Sequence, residues 1–193
     1  MKRRDQILGA AAELFARHGY QAVGIDDIGA AVGVSGPALY YYFSGKEQLL
    51  AELLLPRSER LLAEAGALVL AGGDPVSTLR ALVQFHIDFV LDHPTLSTVH
   101  DRELRNLTAS QQHTVRRLMS EYVSAWATLV QAAAPEIDAT VARAAVQATF
   151  AMINSTPSLR WDRTPLELGE FLRVMAFSAL SGYVPDLVVG LAR

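Results

Sequence analysis

Apolar residues recur at three- and four-residue spacing along almost the whole chain, and glycine and proline divide that pattern into segments. This is the period of α-helices with one buried face. No run alternates convincingly with the period of two that a half-buried strand requires, and no internal repeat is seen. Ile7, Leu8, Ala11, Leu14 and Phe15 form the stripe of a helix predicted from Arg3 to His18 and stopped by Gly19. A second is predicted from Ile25 to Val32, ending at Gly33. A third runs from Gly36 to Phe43, with Ser35 as its N-cap and Pro37 in its first turn. The fourth starts near Lys46 and reaches toward Leu70, with Pro56 expected to kink or break it. Asp74-Pro75 opens a fifth that ends at Asp92-His93, and Thr95 to about Leu107 gives a sixth. Thr108 caps a seventh through Ala134, Asp138 caps an eighth toward Ser155, and Pro165 begins a ninth that continues to about Tyr183. The chain reads as all-α with about nine helices.

The most informative stretch is GIDDIGAAVGVSGPALYYYFSGKEQLL, from Gly24 to Leu50. It places two short helices about a tight Gly-Val-Ser turn, a unit that sets one helix in the DNA major groove. Ile25, Ile28 and Val32 make an apolar stripe, Gly29 and Ala31 permit close approach, and Gly33 suits a left-handed turn position. Leu39 and Phe43 bury the inner face of the third helix, leaving Gly36, Pro37, Tyr40 and Tyr41 outward. Lys46 heads the fourth helix, where an ammonium and free backbone N–H groups favour a phosphate. The domain division therefore falls at 48/49: a three-helix helix-turn-helix domain over 1–48, then a larger helical domain over 49–193.

Charge adds modest support. The net charge is −3. Residues 1–46 carry five basic and four acidic groups, and the remainder carries 12 basic and 16 acidic. The basic groups of the first segment sit at its two ends. Lys2, Arg3 and Arg4 are read as phosphate or minor-groove contacts, or else as a solvated tail. Cysteine is absent, which excludes disulfides and thiolate metal sites. The N-terminus does not resemble a signal peptide, and the apolar stretches are interrupted by polar groups. The expectation is a cytoplasmic protein without a membrane span.

Gly19-Tyr20, Asp27-Ile28, Gly33-Val34-Ser35, Leu39-Tyr40-Tyr41, Phe43 and Lys46-Glu47 with Leu49 together resemble the TetR family of bacterial transcriptional regulators, in order and spacing. The resemblance covers about residues 5–50; beyond it, only length and helical pattern agree. It implies a homodimer with two DNA-binding heads on double-stranded operator DNA, and a helical body that binds a small organic effector. It also implies that Ser35, Gly36, Pro37, Tyr40, Tyr41 and Lys46 face DNA. Three departures stand out. Gly24 replaces a frequent Thr, removing a hydroxyl that contacts phosphate and caps the helix. Tyr42 replaces a frequent His, so any phosphate contact there uses a phenol. Asp26 would repel a nearby phosphate, or stabilise its own helix through the dipole. The third helix also lacks Arg, Asn and Gln, so base preference is expected from Pro37, Ala38, the Gly36 backbone and DNA shape.

In the larger domain, Phe85, His86, Phe89, Tyr122, Trp126, Phe150 and Asn154 lie on helical stripes that build either core or an effector pocket. Arg102, in His100-Asp101-Arg102-Glu103, and Arg160-Trp161 are candidates for an anionic, lipid-derived effector such as an acyl-CoA. The alternative for Arg102 is pairing with neighbouring carboxylates. Ala142, Ala145, Ala148 and Ala151 on helix eight, with Leu172, Met175, Ala176, Ala179 and Leu180 on helix nine, suit a four-helix dimer interface or a monomer core.

Catalytic readings find little footing. No two of the five histidines have metal-ligand spacing with a carboxylate partner, and no nucleophile elbow, P-loop or Rossmann glycine run occurs. No metal or cofactor is expected. The expected function is a ligand-responsive transcriptional regulator, more specifically a repressor released by its effector. The alternatives are a helical small-molecule binder that has lost DNA affinity, and a small all-α enzyme.

Overall fold

Among the described residues there are nine α-helices: α1 (Arg3–His18), α2 (Ile25–Ala31), α3 (Gly36–Leu39), α4 (Lys46–Leu70), α5 (Pro75–Asp92), α6 (Pro94–Glu103), α7 (Ala109–Ala133), α8 (Ala139–Asn154) and α9 (Pro165–Ser181). Short 3-10 turns lie at Leu104–Asn106, Thr156–Ser158 and Pro185–Val188, and no strand occurs among the described residues. The computed structural model describes residues 2–188, Ser158 by its backbone alone; Met1 and residues 189–193, the extremes of the two expected domains, lie outside the described residues.

The helix pattern agrees with the periodicity, with three differences. The third helix is one turn long. After Leu39 the backbone tightens: Tyr41 N–H donates to Ala38 O at 3.3 Å and Tyr42 N–H to Leu39 O at 2.9 Å. Pro56 does not break α4, which runs uninterrupted from Lys46 to Leu70. The proline's fixed φ is compatible with a helix, and its ring lies on the exposed side. The sixth helix ends at Glu103 and closes in the 3-10 turn before Leu107.

Backbone contacts gather the chain into two units: Met1–Glu59 with Thr95–Arg117, and Arg60–Pro94 with Leu118–Arg193. These boundaries differ from the 48/49 division because α6 and the start of α7 join the N-terminal helices. Thr95 donates to Glu13 at 2.8 Å, and Gln21 donates to Asn106 at 2.7 Å. Asn106 in turn donates to the buried Glu103 carboxylate at 2.7 Å. The Thr95–Glu13 and Gln21–Asn106 links are not visible as a pattern in sequence, since each joins residues more than 80 positions apart.

The N-terminal unit buries Ile7, Ala11 and Phe15 of α1, Ile28 of α2, Leu39 of α3, and Phe43, Leu49 and Leu50. Gly19 stops α1 at φ +81°, its N–H donating to Phe15 O at 2.9 Å. Gly33 makes the turn at φ +70°, a conformation that side chains resist. In the second unit, α9 packs on both α5 and α8. Its core takes Leu82, Val83, Ile87 and Val90 from α5, Tyr122, Trp126 and Val130 from α7, Val146, Phe150 and Ile153 from α8, and Leu172, Ala176 and Leu180 from α9.

Candidate functional site

The segment after the Gly33 turn presents its side chains outward. Ser35 caps α3, its hydroxyl accepting from Ala38 N–H at 3.4 Å. Pro37 and Ala38 are exposed. Tyr40 is 57% exposed and Tyr41 86% exposed, while Tyr42 is half-buried and meets the Tyr41 ring edge-on at 5.1 Å. Leu39 and Phe43 are buried beneath them. One short turn thus anchors itself with aliphatic and phenyl groups and holds two phenols, each a donor and an acceptor, toward solvent.

Several expected DNA residues are placed differently. Gly36 is buried, not outward-facing: a Cβ there would stand 1.8 Å from Asp26 Oδ1. Its value is the close approach of α2 and α3. Asp26 thereby sits at the start of α3, where a carboxylate favours the helix dipole, as well as in the first turn of α2. Gly24 caps α2 without a side chain, and Asp27 compensates by accepting the Gly24 N–H at 2.7 Å.

The basic groups are largely engaged within the head. Arg3 donates to Gln6 at 2.9 Å and to Val32 O at 3.0 Å, which ties α1 to the end of α2. Arg4 pairs with Glu52 at 2.6 Å and lies 4.5 Å over the Phe43 ring. Lys46 is half-buried and donates to two backbone carbonyls, Tyr20 O at 2.7 Å and Val23 O at 2.9 Å. Lys2 is exposed at the N-cap of α1, its backbone N–H donating to Asp5 at 3.1 Å. Ser44 and Gln48 were not singled out from the sequence. Ser44 N–H and hydroxyl both donate to Gln48 Oε1, at 2.6 and 2.9 Å, and Gln48 donates to Glu52 at 2.8 Å. A glutamine at the third position of a helix, able to reach back to a backbone N–H ahead of it, is the signal that finds them.

In the second unit, four of the expected effector residues form one buried aromatic cluster. His86 Nδ1 lies 3.1 Å from the Tyr122 hydroxyl, and the imidazole stacks on Phe150 with centroids 4.5 Å apart. Tyr122 also stacks on Phe150 at 5.1 Å, and Trp126 meets that ring edge-on at 4.7 Å. Phe89 and Phe85 pack beside each other at 5.9 Å. Among the described residues, the buried Trp126 Nε1 and Asn154 Oδ1 have no hydrogen-bond partner. Among the described residues, the buried polar side chains of this unit are Thr78, His86, Thr149 and Thr156.

The two expected arginines do not join that cluster. Arg102 belongs to the N-terminal unit, where it is exposed and its guanidinium reaches Ala16 O at 3.5 Å. Arg160 is exposed on the loop before α9. Trp161 packs against Phe171 at 5.3 Å, and its N–H donates to Thr164 O at 3.2 Å, pinning that loop onto α9.

The small-residue stripes divide between core and surface. Ala142, Leu172, Ala176 and Leu180 are buried within the unit, which corrects their expected place at an interface. Ala145 is half-buried, while Ala148, Ala151, Met175 and Ala179 remain exposed. They continue into Val141, Ala144, Phe171, Val174 and Tyr183, an apolar face across α8 and α9. Thr140, Val141, Ala144, Ala145, Ala148, Ala179 and Tyr183 line a groove of about 440 Å³ on it.

A short helix, a left-handed glycine turn and a second short helix with exposed phenols define a helix-turn-helix protein. Residues 7–53 match the description "Bacterial regulatory proteins, tetR family", and residues 72–161 match "Tetracyclin repressor-like, C-terminal domain". This chain belongs to the tetR family. It is 29% identical over 131 residues to the HTH-type transcriptional repressor KstR2 of Rhodococcus jostii, covering 67% of this chain and 64% of that one. It is 37% identical over 89 residues to the HTH-type transcriptional activator FasR of Mycolicibacterium smegmatis, covering 46% of this chain and 41% of that one. The matched stretch thus spans less than two thirds of either relative. A TetR-family transcriptional regulator from Bordetella parapertussis superposes with a TM-score of 0.81 at 25% identity, covering 90% of this chain and 93% of that one.

Proposed function

We propose that this chain is a ligand-responsive, cytoplasmic transcriptional repressor that binds a near-palindromic operator as a homodimer and is released by a small organic effector. The observation that carries the reading is the outward pair Tyr40 and Tyr41, anchored by buried Leu39 and Phe43. Phenol hydroxyls, the Ser35 hydroxyl and Lys2 contact phosphates, and Pro37, Ala38 and Tyr42 meet bases and sugar edges. The apolar face of α8 and α9 supports pairing of two copies through a four-helix contact, since a patch of this kind exposed on a monomer is a liability.

The effector's apolar part belongs among His86, Tyr122, Trp126 and Phe150, where the Trp126 N–H is a polar group still to be satisfied. The aromatic lining of the cluster favours an apolar buried portion. Release requires that the effector bind one spacing of the heads more tightly than another. The helix-turn-helix relatives and the family match support DNA as the partner. A gel shift with DNA flanking the protein's own gene, at two salt concentrations, tests the reading: a retarded complex that weakens as salt rises is expected. No retardation at low salt with any flanking fragment would refute it.

A further inference from the structure

The Lys46 ammonium sits where two carbonyls and a ring face converge. Its Nζ donates to Tyr20 O at 2.7 Å and Val23 O at 2.9 Å, and lies 4.3 Å from the Tyr20 ring centroid. Tyr20 is itself buried, its ring 5.2 Å from Phe15 of α1. Two of the three ammonium protons are therefore committed, and the ring quadrupole covers part of the charge.

The chain positions give this contact its meaning. Val23 immediately precedes the α2 cap Gly24, and Lys46 is the first residue of α4. The reading unit, residues 24–45, lies wholly between them. The ammonium thus fastens the two ends of that unit to each other. Ser44, bonded to Gln48, fixes the same exit from the α4 side.

We propose that Lys46 is a positioning residue: it clamps the two ends of the helix-turn-helix unit so that Tyr40 and Tyr41 are presented in a fixed frame, and it is not a phosphate ligand. This rests on the DNA-binding reading above. Removing a phosphate contact and removing a clamp have different signatures. Each phosphate contact contributes about 0.9 to the slope of log K against log salt, so a dimer losing one per head loses about 1.8. A clamp contributes nothing to that slope.

The test measures DNA affinity against salt for the full-length wild type, Lys46→Met and Lys46→Arg, at a temperature where circular dichroism shows all three folded. Hydrogen exchange of the Tyr20–Val23 amides is followed in parallel. The clamp predicts that Lys46→Met weakens binding about tenfold or more with the wild-type slope, and that those amides lose protection. Lys46→Arg keeps the charge but cannot set one nitrogen between both carbonyls over the ring, so it weakens binding too. A slope reduced by about 1.8 in Lys46→Met, with Lys46→Arg binding as the wild type, overturns the proposal. Unchanged affinity in both variants overturns it as well. If the wild type binds no DNA, the functional reading fails by itself, and the exchange data still report whether the clamp exists.

Discussion

The carbonyl oxygen of Val34 stands 2.7 Å from where a Cβ on Gly29 would lie, and the Val34 N–H donates to Gly29 O at 2.9 Å. The glycine and the turn residue are thus in contact through backbone alone. Backbone cannot swing aside as a side chain can, so a methyl group here must push α2 and the turn apart. Gly29→Ala should lower stability of the head by about 1–3 kcal/mol in urea titrations and weaken DNA binding. Gly36→Ala presses only on the exposed Asp26 carboxylate, which can rotate away. It should cost less, and Asp26→Ser should recover part of the loss. Equal, negligible effects of both alanines would show that the α2–α3 approach is looser than described.

The phenols can be separated from the fold. Tyr40 and Tyr41 are exposed, so Tyr41→Phe and Tyr40→Phe should leave the thermal midpoint unchanged. Each loses a hydrogen bond to a charged phosphate and should weaken operator binding about tenfold. Leu39→Ala is the contrast: it empties a fully buried site and should destabilise by about 2–5 kcal/mol.

The α8–α9 face divides cleanly into positions that test association and positions that test folding. Met175→Glu and Ala148→Glu place charges on exposed sites and should shift light-scattering mass from dimer to monomer while the helical signal persists. Leu172→Ala, buried in the same helix, should lower the melting temperature with the mass unchanged. A wild type that is monomeric at micromolar concentration would remove the dimer from the account.

Asp138 makes the start of α8 acid-sensitive. Its carboxylate accepts the backbone N–H of Thr140 at 2.8 Å and of Val141 at 3.3 Å, and these bonds hold its pKa below the usual range. A lowered folded pKa stabilises the fold above the unfolded carboxylate range and loses that contribution as pH falls through the folded value. Asp138→Ala should therefore lower the melting temperature near neutral pH, and the gap from wild type should narrow on acidification. Asp74, held below the usual range by the Ser77 side chain and then by the Ser77 N–H at the start of α5, should behave alike.

Sequence carried most of the helical architecture because period, caps and stops agree: Asp74, Thr108, Asp138 and the Thr164–Glu167 capping box each open the helix their chemistry favours. It was weaker wherever partners lie far apart in the chain. Lys46 looks like a phosphate ligand until Tyr20 and Val23 fold back to meet it. Arg3 and Arg4 look like a basic arm until Val32 and Glu52 are in place. The alanine stripe of α8 has no inside or outside until folding buries Ala142 and leaves Ala148 exposed. The same holds for His86, whose partners Tyr122 and Phe150 come from two other helices.

On the proposed function, exposed phenols on paired helix-turn-helix heads grip operator DNA. Fluorescence anisotropy on a labelled fragment from upstream of the protein's own gene tests it most directly, comparing wild type with Tyr40→Phe/Tyr41→Phe. Saturable wild-type binding that weakens with salt is expected, with the double variant at least about tenfold weaker at an unchanged melting temperature. Wild type and double variant binding equally well, or neither binding any fragment, would contradict it.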